Sequence, residues 1–144
     1  MGDQTISRAE LSAYFALRAA GDRLQRAVAT QLKEHDLTDV QFTVLAQLHD
    51  AGELRMSDLA DVIVASKNGL TYQAAQLERR GLIARRSSES DARSVLIRLE
   101  PAGAELLAEV FPGHIALVRE LFLDRLTAKE IGAIASGLSK VAAD

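Results

Sequence analysis

SKNGLTYQAAQLERRGLIARRSSESDARSVLIRL, residues 66–99, decides how this chain folds, because a helix signal, a turn and two strand signals follow one another in it without a break. Ser66 is a good helix N-cap, and Leu70, Ala74 and Leu77 recur at helical spacing. Arg80-Gly81 ends the helix, since glycine adopts the left-handed conformation of a C-terminal turn freely. Residues 82–86 and 94–99 are rich in strand formers, and the polar run 87–93 between them is turn chemistry. The stretch predicts a helix followed at once by a β-hairpin with a long tip.

The same stretch concentrates positive charge. From Ser66 to Arg98 the cations are Lys67, Arg79, Arg80, Arg85, Arg86, Arg93 and Arg98, against Glu78, Glu89 and Asp91. Seven against three gives +4 in a chain of net charge −3, so the remainder carries −7. A basic block inside an acidic protein fits a localised phosphate-binding face.

Upstream, Ser57-Asp58-Leu59-Ala60 predicts the start of a short helix with Ser57 as its cap. Two short capped helices in tandem make a helix-turn-helix. Leu54-Arg55-Met56 allows a single bridging strand. Before it, a helix capped by Asp36 or Thr38 buries Val40, Phe42, Val44, Leu45 and Leu48 and stops at Ala51-Gly52. A long amphipathic helix from Ser7 to about His35 comes first.

Downstream, Pro101 suits a first helical turn, and apolar positions continue at helical spacing through residues 104–110, 115–122 and 126–141. Pro112-Gly113 predicts a kink or break there. With 144 residues, 48% hydrophobic and only 4% aromatic, the chain reads as one mainly α (α+β) domain.

The absence of cysteine excludes a disulfide framework and a thiol redox sensor. His35, His49 and His114 have no metal-ligand spacing, so neither metal nor other cofactor is expected. No window has the pattern of a signal peptide or a membrane span, which predicts a cytoplasmic protein with no membrane partner. No nucleophile–base pair, carboxylate pair or glycine-rich phosphate loop points to an enzyme.

A helix feeding a basic hairpin is the winged helix-turn-helix arrangement, in which the helix enters the major groove of double-stranded DNA and the hairpin lies along the neighbouring minor groove. Candidate DNA-binding residues on the helix are Ser66, Lys67, Asn68, Thr71, Tyr72, Gln73, Gln76 and Arg79, expected to be exposed. On the hairpin they are Arg85, Arg86, Asp91 and Arg93. For each residue alone a blander role stays open: Ser66 as a cap, the glutamines solvated, Arg79 and Arg80 complementing a helix dipole.

In order and spacing, these segments resemble the MarR family of bacterial transcriptional regulators from about Leu11 to Val141. The resemblance rests on Ser57-Asp58-Leu59-Ala60, Ser66-Lys67-Asn68-Gly69-Leu70-Thr71, Leu77-Glu78-Arg79-Arg80-Gly81-Leu82-Ile83 and Asp91-Ala92-Arg93. It implies a homodimer reading a palindromic operator, with a winged-helix lobe over 37–100 and dimerisation helices over 7–36 and 101–144. The residues allow this, because Leu11, Phe15, Leu126, Ile131, Ile134, Leu138 and Val141 leave apolar faces at both chain ends.

The resemblance also implies that Asp91 orients Arg93 for insertion into the minor groove, so Asp91→Asn weakens binding although it removes negative charge. It further implies release of DNA by a small aromatic, anionic effector, for which Tyr14, Arg18 and Arg23 near Phe15 are candidates. Tyr72, Gln76 and Ala92 stand where many relatives carry arginine, and Glu100 where they carry threonine. That departure keeps a second reading open, a winged-helix interaction module that does not bind DNA.

Overall fold

The computed structural model describes residues 4–63 and 67–143, the side chains of Lys67 and Asn68 excepted. The elements are α1 (Arg8–Lys33), α2 (Asp39–Ala51), β1 (Glu53–Arg55), α3 (Met56–Val62), α4 (Lys67–Arg79), β2 (Ile83–Ser87), β3 (Val95–Leu99), α5 (Pro101–Leu121), a 3-10 turn (Leu123–Arg125) and α6 (Ala128–Ala142). No helix among the described residues is long and apolar enough to cross a membrane.

Local chemistry accounts for most boundaries. Thr38, rather than Asp36, caps α2: its hydroxyl accepts the N–H of Gln41, and the Gln41 side chain accepts the N–H of Thr38 in return. Thr127 and Glu130 repeat this capping box at the start of α6. At α3 the expectation fails. The helix begins at Met56 with Arg55 at the cap position and no side-chain cap bond, so Ser57 lies inside the first turn. β1 delivers the chain into α3 with no intervening loop, leaving Ser57 no cap position to occupy.

Pro112 does not break α5 either, since the helix runs unbroken from Pro101 to Leu121. A proline ring removes one N–H from the helical ladder. The turns before it are anchored by buried Leu107 and Val110, and the amide of Gln31 donates to the Val110 carbonyl at 3.4 Å, adding a hydrogen bond to the proline turn.

The chain forms two compact units, Gln31–Gly113 and Met1–Thr30 with His114–Asp144. In the first, the strands form an antiparallel sheet of order β1-β3-β2, with Arg55 opposite Leu96, Arg85 opposite Ile97 and Arg86 opposite Leu96. Leu45, Leu48, Leu59, Leu77 and Ile97 are fully buried and form its core. Gly103, at the start of α5, lies so close to the end of the sheet that a Cβ there would stand 2.2 Å from the Leu82 carbonyl oxygen.

The second unit is built differently. Every buried side chain of the described residues belongs to Gln31–Gly113, and none belongs to the unit formed by the chain ends. Within that unit, Ala13, Leu17 and Leu24 of α1 face Ile134, Leu138 and Val141 of α6 across an open apolar groove of about 880 Å³.

Candidate nucleic-acid interface

α4 is positioned by Leu70, Ala74 and Leu77, which are buried along one face. The opposite face carries Tyr72 and, two turns on, Arg79, both exposed, and Thr71 next to Tyr72 is exposed as well. Gln73 and Gln76 are only half-exposed, contrary to expectation. Gln73 follows Leu70 by three residues and precedes Leu77 by four, so it flanks the buried stripe, and its side-chain oxygen is buried without a hydrogen bond. Lys67 and Asn68 occupy the first two positions of α4, and Ser66 lies outside the described residues.

The hairpin tip is organised by Asp91. One carboxylate oxygen accepts the main-chain N–H of Arg93 at 3.0 Å and the other accepts the Ser94 hydroxyl at 3.1 Å. Ser94 N–H donates to the Asp91 carbonyl, and Ser88 N–H to the Ser94 carbonyl, closing the tip. The Arg93 N–H, then the Ser94 hydroxyl, hold the Asp91 pKa below its ordinary value, and the charge of Arg55 adds to the effect. Asp91 thus grips the backbone of Arg93 and makes no ion pair with its guanidinium.

Four of the basic side chains are engaged within the unit. Arg85 donates to Glu78 from its main-chain N–H at 3.2 Å and from its guanidinium at 3.0 and 3.3 Å. Those bonds lower the Glu78 pKa. Arg86 makes a two-point pair with Glu53 at 2.9 and 3.2 Å, and Arg98 meets Glu100 at 3.3 Å. Arg80 donates to the carbonyls of Asp36 at 2.6 Å and His35 at 3.4 Å, tying the end of α4 to the turn after α1.

Arg79 and Arg93, in contrast, are exposed and form no ion pair among the described residues. Arg55, not among the candidates above, is an exposed cation on the sheet. It ends β1 on the same sheet face as Leu96 and Arg86, close enough to the hairpin tip to stabilise the Asp91 carboxylate. Its signal was invisible because three residues carry no pairing information until β3 is known to lie beside them.

Of the effector candidates, Arg18 lies 5.7 Å from the centroid of the Tyr14 ring, which itself stands 5.5 Å from Phe15. Arg23 is not part of this group: nine positions beyond Tyr14, it projects from the opposite side of α1. None of the three lines the apolar groove. No cluster of metal-ligating side chains occurs among the described residues.

The MarR family model matches residues 37–95. The HTH-type transcriptional repressor MdtR of Bacillus subtilis is 30% identical over 129 residues, spanning 90% of this chain and 80% of that protein. The Sco3205 MarR family regulator of Streptomyces coelicolor, solved in complex with DNA, superposes with a TM-score of 0.92 at 26% identity, over 98% of this chain and 90% of that one. BpsR of Bordetella bronchiseptica, solved to explain how 6-hydroxynicotinic acid regulates its DNA binding, superposes with a TM-score of 0.80 at 26% identity, over 92% and 99% of the two chains. With its three-stranded sheet, tandem helices and basic hairpin, the chain belongs to the MarR family of winged-helix transcriptional regulators, which are not enzymes.

Proposed function

We propose that this regulator is a cytoplasmic repressor that binds a palindromic operator as a homodimer, with the lobe over 37–100 on the DNA and the helices over 7–36 and 101–144 joining the two copies. The observation that carries the DNA reading is the pair of exposed arginines without ion-pair partners among the described residues, Arg79 on α4 and Arg93 at the hairpin tip, on the two elements that a winged helix presents to a duplex. Thr71 and Tyr72, exposed two turns before Arg79, are the side chains offered to base edges, and Arg55 extends the positive surface from the sheet. The Asp91 carboxylate, by accepting the Arg93 N–H and the Ser94 hydroxyl, orders the turn from which Arg93 projects.

The homodimer is supported by the unit at the chain ends, in which none of the described residues is buried. Burying the groove between α1 and α6 against a second copy supplies the core that this unit lacks. Repression follows the relative that is named a repressor. Release by a small aromatic or anionic molecule follows the relative regulated by 6-hydroxynicotinic acid, with Tyr14 and Arg18 offering an aromatic face and a cation.

The test is duplex binding across a salt series. The wild type binds sheared DNA weakly and an inverted repeat with half-sites about one helical turn apart more tightly, each affinity falling steeply with salt. Arg79→Ala and Arg93→Ala each reduce the salt slope by about one per subunit. Indifference of the wild type to every duplex in dilute buffer establishes the non-DNA interaction module instead.

A further inference from the structure

Arg85 is a basic residue of the hairpin, yet the strand register turns it away from the surface where a duplex would lie. Directly opposed residues of an antiparallel pair share a face of the sheet. Arg85 is paired with Ile97, which is fully buried, so its side chain leaves the sheet on the core side, toward the helices. Arg86, one residue on, is paired with Leu96 on the other face.

The guanidinium of Arg85 meets Glu78 in the last turn of α4, and the main-chain N–H of Arg85 donates to the second oxygen of the same carboxylate. Both Glu78 oxygens are therefore directed at one residue of β2. A carboxylate that receives a main-chain N–H and a guanidinium together constrains direction as well as distance. It joins the end of the recognition helix to the first strand of the hairpin at a single point.

We propose that Glu78 and Arg85 are positioning residues that set the angle between α4 and the hairpin, and that neither contacts phosphate. The proposal rests on the DNA-binding reading above. Its consequence is counter-intuitive for a DNA-binding protein: removing the acidic Glu78 weakens the grip on a polyanion, because the two reading elements lose their mutual orientation.

The experiment measures duplex affinity and salt slope for the full chain carrying Arg85→Met, Glu78→Gln, Glu78→Arg or the exchange Glu78→Arg with Arg85→Glu, with Arg79→Ala as the phosphate-contact standard. All are assayed at a temperature where circular dichroism shows them folded. The expected result is that Arg85→Met lowers affinity by about tenfold, the scale of one charge-assisted hydrogen bond, with an unchanged salt slope. Glu78→Gln and Glu78→Arg also weaken binding, and the charge exchange recovers most of the Glu78→Arg loss.

Three results overturn the proposal while leaving the DNA reading intact: tighter binding by Glu78→Arg, unchanged affinity in Arg85→Met, or a salt slope reduced by about one per subunit in Arg85→Met. If Arg85→Met does not fold, the near-isosteric Glu78→Gln decides the matter, and wild-type affinity in it overturns the proposal. A wild type that binds no duplex at low salt overturns the DNA reading itself, and the positioning role with it.

Discussion

Asp91 and Arg93 are linked through the main chain, carboxylate to N–H at 3.0 Å, while the exposed Arg93 side chain forms no ion pair among the described residues. Asp91 therefore shapes the tip from which Arg93 projects and leaves the arginine side chain free to meet another partner. The distinction changes what substitution at position 91 should do.

Asparagine keeps an oxygen for the Arg93 N–H, whereas alanine leaves that N–H without its turn partner. Duplex affinity should fall by about tenfold in Asp91→Ala, in line with the loss of a local side-chain to backbone bond, and by less in Asp91→Asn. Arg93→Ala should weaken binding more than either. Fluorescence anisotropy at fixed salt tests the order, and tighter binding by Asp91→Ala would mean that the carboxylate acts merely as a repulsive charge.

The same turn carries a pH signature. The Arg93 N–H and the Ser94 hydroxyl depress the folded-state pKa of Asp91. A carboxylate whose pKa is lowered on folding contributes fully above its unfolded value of about 3.9, and loses that contribution as pH falls through the lower, folded value. The tip should stay ordered from neutral pH down through the ordinary aspartate range. Carboxyl carbon NMR should give Asp91 a midpoint below about 3.9, and a midpoint at or above it is incompatible with the hydrogen-bonded turn.

Gly103 tests the junction of α5 with the sheet. An added methyl would lie 2.2 Å from the Leu82 carbonyl oxygen and 2.7 Å from a Leu99 methyl carbon. That carbonyl also accepts the Glu100 N–H at 2.9 Å, so it has little room to retreat. Gly103→Ala should destabilise the protein by about 3 kcal/mol, the upper part of the range for overpacking. Urea denaturation measures this, and a change within about 0.5 kcal/mol would place the helix farther from the sheet than the structure does.

Leu138 tests the groove. It is 37% exposed and lines the apolar surface between α1 and α6. If a second copy covers that surface, Leu138→Asp buries an unpaired charge and should weaken the dimer at least about a hundredfold, or about 2.8 kcal/mol. Light scattering at micromolar concentration should give a dimer for the wild type and a monomer for the variant. A wild type that is already monomeric removes the dimer from the proposed function.

From its sequence alone, this protein disclosed what depends on neighbours a few residues away. The helix periodicity around Leu70, Ala74 and Leu77, a cap at Asp36 or Thr38, the turn at Gly81 and the strand propensities on either side of residues 87–93 are all short-range, and together they specified the helices and the hairpin, while the order and spacing of the motifs carried the resemblance to the family. Even the inward lean of Gln73 was implicit in that stripe, since it lies on its flank.

Only the tertiary structure decided what the charged residues do. Arg85 and Arg86 are adjacent and alike in sequence, but pairing with β3 sends one toward Glu78 and the other toward Glu53. Arg80 is committed to carbonyls more than forty residues away, and Arg55 reaches the hairpin tip only because β1 docks beside β3. The physical reason is that helices and turns are set by contacts local in the chain, whereas the partner of a long, flexible, charged side chain is set by strand register and packing, which bring distant residues together.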